Sequence, residues 1–475
     1  MVARDLETRS SSRFAVLCLT LAVVGAASMV YYHLGLFMPR VEKAQAAKHL
    51  AGEYSFGNDF YPIWLTSRQW LREGRDPYSP ALTREIQIGL LGRPLDSQFS
   101  TDPPNDYRAF AYPAFTDLLL WPVSEIPFRT LRIVWVALLT ILLAAAVVSW
   151  VRALSWHVSG ISLAITLLLT LCSYQELEGL YAGQLGLLVG FLLAASLLAL
   201  LRNRPLLAGT LMAMAMIKPQ MVLLATLYLL LWSANDWRRR SRFVVAFLAS
   251  MFLLIAASLA VWPRWIQSWV NVIKGYPRYS RPPLAKELLG SSLGSHVGTP
   301  LIALLLMTAL VLAWRGRAAA AGSYEFWLTL STLLALTTIT LLPGQSVCDH
   351  VILLPGIFLL ACRSASHNST RTLRALLAIG AVVLLWPWLA AVGLVVLRPF
   401  LPPELFYSKA LFALPLRTAA AFPFVVLGSL ALALHRARPR GKRSGFELPA
   451  DLNAFSNSAL FFPGRYRSAA RASAR

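Results

Sequence analysis

Residues 237–262 read WRRRSRFVVAFLASMFLLIAASLAVW, with four arginines among the first six positions and then twenty residues, 243–262, that carry no charge. A helix of that length rises about 30 Å, the thickness of the hydrocarbon layer of a bilayer. A soluble helix of equal length keeps charges along one face. The arginine cluster marks the end that stays in the cytoplasm, since basic residues flank spans on that side. Uncharged runs of this kind recur along all 475 residues, which are 57% hydrophobic and only 14% charged. Soluble domains hold about 25% charged residues, and the mean hydropathy of +0.58 points the same way. The chain reads as an all-α polytopic membrane protein.

Candidate crossings lie near 14–37, 112–127, 131–151, 160–173, 184–201, 205–232, 243–262, 299–314, 324–342, 350–362, 374–397 and 416–435. Lys218-Pro219 interrupts the sixth, and Asp117 with its neighbouring prolines marks the second as a re-entrant candidate, so the expectation is about 11–13 transmembrane helices. The first apolar run follows Arg4, Arg9 and Arg13 and outlasts the roughly 7–15 residues of a signal peptide core, which makes it a retained helix with a cytoplasmic N-terminus. Basic clusters at 238–242, 315–317 and 363–374 and the Arg-rich stretch 436–475 put those segments and the C-terminus inside, the last as a mobile tail after a membrane domain at 1–435. The formal charge of +22 sits in these clusters, so nucleic acid is not an expected partner; the bilayer is. The four cysteines lie in or beside apolar runs without metal-ligand spacing and read as small apolar residues.

Residues 37–111 break the basic bias, with nine basic and nine acidic residues, as suits an external loop. Phe60, Ile63, Trp64, Trp70 and Leu71 recur at near-helical spacing until Gly74 and Asp76-Pro77, which predicts an interfacial helix resting on the membrane. Asp59 stands just ahead of that pattern. The position suits an N-cap first, a common role for such an aspartate, and after it a base that meets a lipid-borne substrate at the interface. Lys218 within an apolar run is costly unless it has a function or snorkels beside Pro219. Gln184, after Gly183, suits a helix cap or a donor to a phosphate or sugar hydroxyl. Asp349 and His350 open a late external segment, as an interfacial pair or as phosphate-facing groups. Lys274, Arg278, Arg281 and Lys286 make a basic external loop, open to a solvated or a phosphate-admitting reading.

The element Asp59-Phe60-Tyr61-Pro62-Ile63-Trp64 with Glu73-Gly74-Arg75-Asp76-Pro77-Tyr78, followed by Tyr112-Pro113, Tyr181-Ala182-Gly183-Gln184, Ala208-Gly209, Ile217-Lys218-Pro219 and Cys348-Asp349-His350, resembles glycosyltransferase family 87. That family belongs to the C-type (GT-C) membrane glycosyltransferases, which use polyprenyl-phosphate-linked sugars. The resemblance implies a GT-C fold and an acidic residue of the first external loop as base, the position Asp59 matches. It further implies Lys218, His350 and Gln184 at the donor phosphate and Tyr61, Trp64 and Asp349 about the substrates. Transfer by a single displacement inverts the anomeric centre. The expected activity moves a hexose, mannose as the expected sugar, to a glycan or glycolipid acceptor on the external face of the cell (inner) membrane. No cofactor is expected, and with no DxD pair a metal-independent reaction is. A flippase or transporter of polyprenyl-linked sugars is the alternative, in which Lys218 and Asp349 would line a pathway; transporters carry internal repeats, and no second copy of the Asp59 element occurs.

Overall fold

A computed structural model describes residues 2–96, 102–287, 295–364 and 371–437. By contacts the chain divides into residues 1–433, which hold everything discussed below, and residues 434–475, of which 434–437 are helical. The rest of the basic stretch expected as a tail lies outside the described residues. The protein is all-α and polytopic: the described residues form helices with no strand. Six of these helices are long and apolar enough to cross a membrane: Arg13–Ala46, Phe128–Ala153, Trp237–Val261, Val297–Gly316, Ala378–Leu397 and Leu414–His435. Gly160–Leu171 and Tyr174–Ala182, bent by 57° at their junction, make a seventh if read as one span. Outward faces are apolar, with Phe252 and Leu253 well exposed on Trp237–Val261, where a soluble helix would place charges.

The other expected crossings are shorter. Leu185–Leu201, Pro219–Asn235 and Tyr324–Thr340 each have 17 residues, about 25 Å of rise. The interrupted segment is two pieces, Pro205–Ala215 and Pro219–Asn235, parted at Lys218. Proline cannot donate and its ring clashes with the preceding turn, so a helix starts afresh there. The segment expected at 112–127 forms only the ten-residue helix Phe115–Ser124, about 15 Å long and too short to cross. The first helix runs past Phe37 to Ala46 through a wider π turn at Tyr31–Phe37, so the first loop begins later than its composition suggests.

That loop folds into two helices, Tyr61–Glu73 and Pro80–Leu91. Gly74, at φ 64°, ends the first because a left-handed residue closes the last turn and glycine adopts it without strain. The apolar face of that helix, read above as lying on the membrane, packs largely on the protein: Phe60, Ile63 and Trp70 are buried, and its chief neighbour is the helix Phe115–Ser124. The loop's balanced charges become ion pairs, Arg75 with Glu85, Arg93 with Asp102, Arg108 with Asp59, and Arg72 with Glu125 just beyond it.

Candidate active site

The Asp59 turn leads into Tyr61–Glu73 and is held against the end of a second helix, Tyr174–Ala182. Gly57 takes φ 81°, and its N–H donates to the Tyr181 carbonyl while that of Asp59 donates to Ala182, both at 2.9 Å. Phe60 then stacks on Trp135, with ring centroids 4.1 Å apart and planes 6° apart. Gly183, at φ 69°, terminates Tyr174–Ala182, and its carbonyl accepts from Trp135 Nε1 at 3.0 Å. A side chain on Gly183 would press on Phe60. These contacts leave the Asp59 carboxylate free of helix capping, since Tyr61–Glu73 has no side-chain cap.

The carboxylate instead begins a chain of polar contacts. Gln184 Nε2 donates to Asp59 Oδ2 at 2.7 Å, and Gln184 Oε1 accepts from Lys218 Nζ at 3.2 Å and from the Tyr112 hydroxyl at 3.1 Å. Two donors on one side and a carboxylate on the other fix the orientation of this amide. Gln184 opens Leu185–Leu201 without capping it. Lys218 Nζ continues to Asp349 Oδ1 at 2.6 Å. Both ends of that ion pair are buried, at 7% and 0% side-chain exposure, so the lysine turns inward and does not snorkel. Gly186 makes room for it, because a Cβ there would collide with Asp349 Oδ1. Asp349 sits in the 3₁₀ turn Val347–Leu353, and its Oδ2 is buried with no hydrogen-bond partner.

Asp59, Gln184, Lys218 and Asp349 are thus brought together from four distant parts of the chain. His350 is buried beside Asp349 with Nδ1 unpartnered, outside this line of hydrogen bonds. Tyr61 and Trp64 lie against Phe128, with Tyr54 stacked on Tyr61 at 4.6 Å. The Trp64 indole donates to the Ile126 carbonyl at 2.9 Å, and a Cβ on Gly89 would strike the Tyr61 ring. These two aromatics anchor the loop to the bundle.

Three further residues join the site. Arg108 Nη1 donates to Asp59 Oδ1 at 2.7 Å, each side chain 26% exposed. Arg108 has φ 70°, a left-handed backbone unusual for a residue with a Cβ, and its guanidinium lies over the Tyr107 ring, 5.2 Å from the centroid. Burial works against its charge, but Tyr107 and Asp59 outweigh that and keep it firmly cationic. Tyr112 is half-buried, and loss of water around its phenol raises it above the ordinary value, with Lys218 pulling the other way. Tyr276, from the loop after Trp265–Gly275, is raised by burial and feels the charges of Lys218, Asp59 and Asp349. A loop with as many acids as bases hints that each acid finds a base, the one signal in the sequence that could have pointed to Arg108. The buried His33 has its Nε2 3.6 Å from Oε2 of the half-buried Glu178. Among the described residues no group of three His, Cys, Asp or Glu is placed to hold a metal ion.

The fold and this charged centre define an all-helical, multi-pass membrane protein with a cluster of linked polar side chains reaching from its first loop into the bundle. Residues 110–343, just under half of the chain, match the family model of glycosyltransferase family 87, which makes this stretch that of a membrane glycosyltransferase. The matched stretch takes in Tyr112, Gln184, Lys218 and Tyr276, while Asp59, Arg108, Asp349 and His350 fall on either side of it. No curated protein and no solved structure matches the chain.

Proposed function

We propose that the protein is an inverting hexosyltransferase, taking mannose from a polyprenyl-phosphate donor and passing it to a glycan or glycolipid on the external face of the cell membrane. The observation that carries this reading is the unbroken line of contacts from Asp59 through Gln184 and Lys218 to Asp349. A carboxylate and a buried ammonium, bridged by the amide of Gln184, supply a base and a cation on either side of one side chain. The acceptor hydroxyl gives its proton to Asp59 as its oxygen bonds to the anomeric carbon. The bond from that carbon to the phosphate oxygen breaks, and the electron pair stays on the phosphate. Lys218, Gln184 and His350 meet that developing charge in a water-poor site, where fixed donors act strongly. Asp349 holds Lys218 in place, and Tyr61 and Trp64 hold the loop that carries Asp59.

One base suffices for a single displacement, and the configuration inverts; a retaining route needs a second carboxylate about 5–5.5 Å away as nucleophile. The balanced first loop and the basic clusters on the opposite loops support an external site with both termini in the cytoplasm. Membranes incubated with radiolabelled polyprenyl phosphate mannose and candidate acceptors test the reading. Label should move to a glycan or glycolipid with the wild type, with or without a chelator, and fall by about two to four orders of magnitude with Asp59→Asn. Transfer that survives Asp59→Asn removes Asp59 from the role of base. Absence of transfer from every polyprenyl phosphate sugar, alongside movement of the labelled lipid across proteoliposomes, would point to a flippase.

A further inference from the structure

We propose that Arg108 exchanges partners during the reaction: it holds Asp59 while the site is empty and turns to the donor phosphate when the lipid binds, releasing the Asp59 oxygen that then takes the acceptor proton. This rests on the reading of Asp59 as base and of a lipid phosphate as leaving group.

The charges in the contact chain are matched as they stand, Arg108 against Asp59 and Lys218 against Asp349. Lys218 can donate to a phosphate while its own charge stays matched by Asp349, so an arriving phosphodiester still brings one negative charge with no unmatched cation in that line of contacts to balance it, and one pair must open. The two pairs are unequal. Lys218 and Asp349 are almost wholly buried, whereas Arg108 and Asp59 are each 26% exposed. Breaking a buried pair strands a charge at a cost of about 3–5 kcal/mol, while partly solvated charges are compensated by water. Arg108–Asp59 is therefore the pair that opens.

Arg108 is also built with spare capacity. A guanidinium offers five donors in a planar fork and binds carboxylate or phosphate through two of them. Here Nη1 contacts Asp59, while Nε is buried with no hydrogen-bond partner. An unpaired buried donor costs about 1–3 kcal/mol, and a phosphate oxygen would recover that. The left-handed backbone at Arg108 is a further cost held at this position, of the kind that clusters at functional sites. Asp59 is the residue most affected. Its Oδ1 is held by Arg108 and its Oδ2 by Gln184, so an acceptor hydroxyl finds neither oxygen free until one of these contacts is released. Donor binding thus precedes acceptor activation.

The test is the affinity of the full-length protein in nanodiscs for polyprenyl phosphate, without sugar, in the wild type, Asp59→Asn, Arg108→Gln and the double variant. Partner exchange makes Asp59 and the phosphate rivals for one guanidinium. Asp59→Asn should tighten binding about tenfold, Arg108→Gln should weaken it by about as much, and Asp59→Asn should have no effect once Arg108 is gone. Equal tightening by Asp59→Asn with and without Arg108 would mean simple removal of a repelling charge, and no tightening in either background would mean no rivalry; either overturns the proposal while leaving the donor reading intact. A wild type that does not bind polyprenyl phosphate overturns the donor reading and this inference with it. Arg108→Lys covers the case in which the glutamine variant fails to fold. It keeps the charge beside Asp59 but loses the fork, so affinity should drop at an unchanged melting temperature; unchanged affinity would leave Arg108 a structural residue only.

Discussion

Replacing Lys218 by methionine removes the ammonium and keeps most of the side-chain volume, and its consequence can be worked out from the burial of its partner. Asp349 has no solvent-exposed side-chain surface, its Oδ2 lacks a partner, and its Oδ1 receives the 2.6 Å bond from Lys218. The single substitution leaves a carboxylate stranded in an apolar bundle. The expected loss of stability is about 3–5 kcal/mol, the cost of an uncompensated buried charge. Asp349→Asn strands the ammonium in turn, with the Gln184 oxygen 3.2 Å away as partial relief, and should cost somewhat less. The double variant Lys218→Met/Asp349→Asn removes both charges and should recover about 2 kcal/mol or more of the summed single losses. Reversible unfolding of the purified protein in mixed micelles measures each step of this cycle. Single losses that simply add, to within about 0.5 kcal/mol, would refute the reasoning, because they would mean the two groups are solvated separately. Stability and chemistry should also part company: the double variant recovers folding but not label transfer, since the cation assigned to the leaving phosphate is gone.

Two further substitutions probe the supports of the site. Gly186→Ala places a methyl group against Asp349 Oδ1; overpacking of this kind costs about 1–3 kcal/mol, and label transfer should fall with thermal stability, whereas an unchanged melting temperature and activity would show that Asp349 can shift freely. Asp117, on the short helix Phe115–Ser124 that does not cross the membrane, is fully buried, and burial pushes its carboxyl well above the ordinary range although Ser67 and Thr66 donate to it. A carboxyl raised in the folded state contributes its full stability below its unfolded value of about 4 and loses it as pH rises through the raised value. The wild type should therefore lose melting temperature between acidic and neutral pH relative to Asp117→Asn, and parallel pH profiles for the two proteins would remove Asp117 as the cause.

Much of the architecture is legible in the residues themselves. The uncharged run at 243–262 became the helix Trp237–Val261, Lys218-Pro219 became the break between two half-helices, and Gly74 closed the helix that begins at Tyr61. These are local effects of apolar length, a missing N–H and a left-handed turn, and a short window of sequence contains their causes. The apolar face at Phe60, Ile63 and Trp70 could equally have met lipid or protein, because burial in either satisfies the same side chains; only the neighbouring helix Phe115–Ser124 decided for protein. By spacing alone Asp59 fits a helix cap better than a base, and the cap fails because the carboxylate lies between Arg108 and Gln184 and the helix after it has no side-chain cap.

The sequence by itself determined that this chain lives in a membrane, which stretches are helical, that its first loop is charge-balanced, and which family its motifs resemble, because hydrophobic length and charge asymmetry act within a few turns of a helix. The tertiary structure alone decided that Asp59, Gln184, Lys218 and Asp349 form one line of contacts and that Arg108 and Tyr112 complete it. Those residues lie as many as 290 positions apart, and a hydrogen bond tolerates only a few tenths of an ångström. Their meeting is therefore set by how the helices pack rather than by any pattern along the chain.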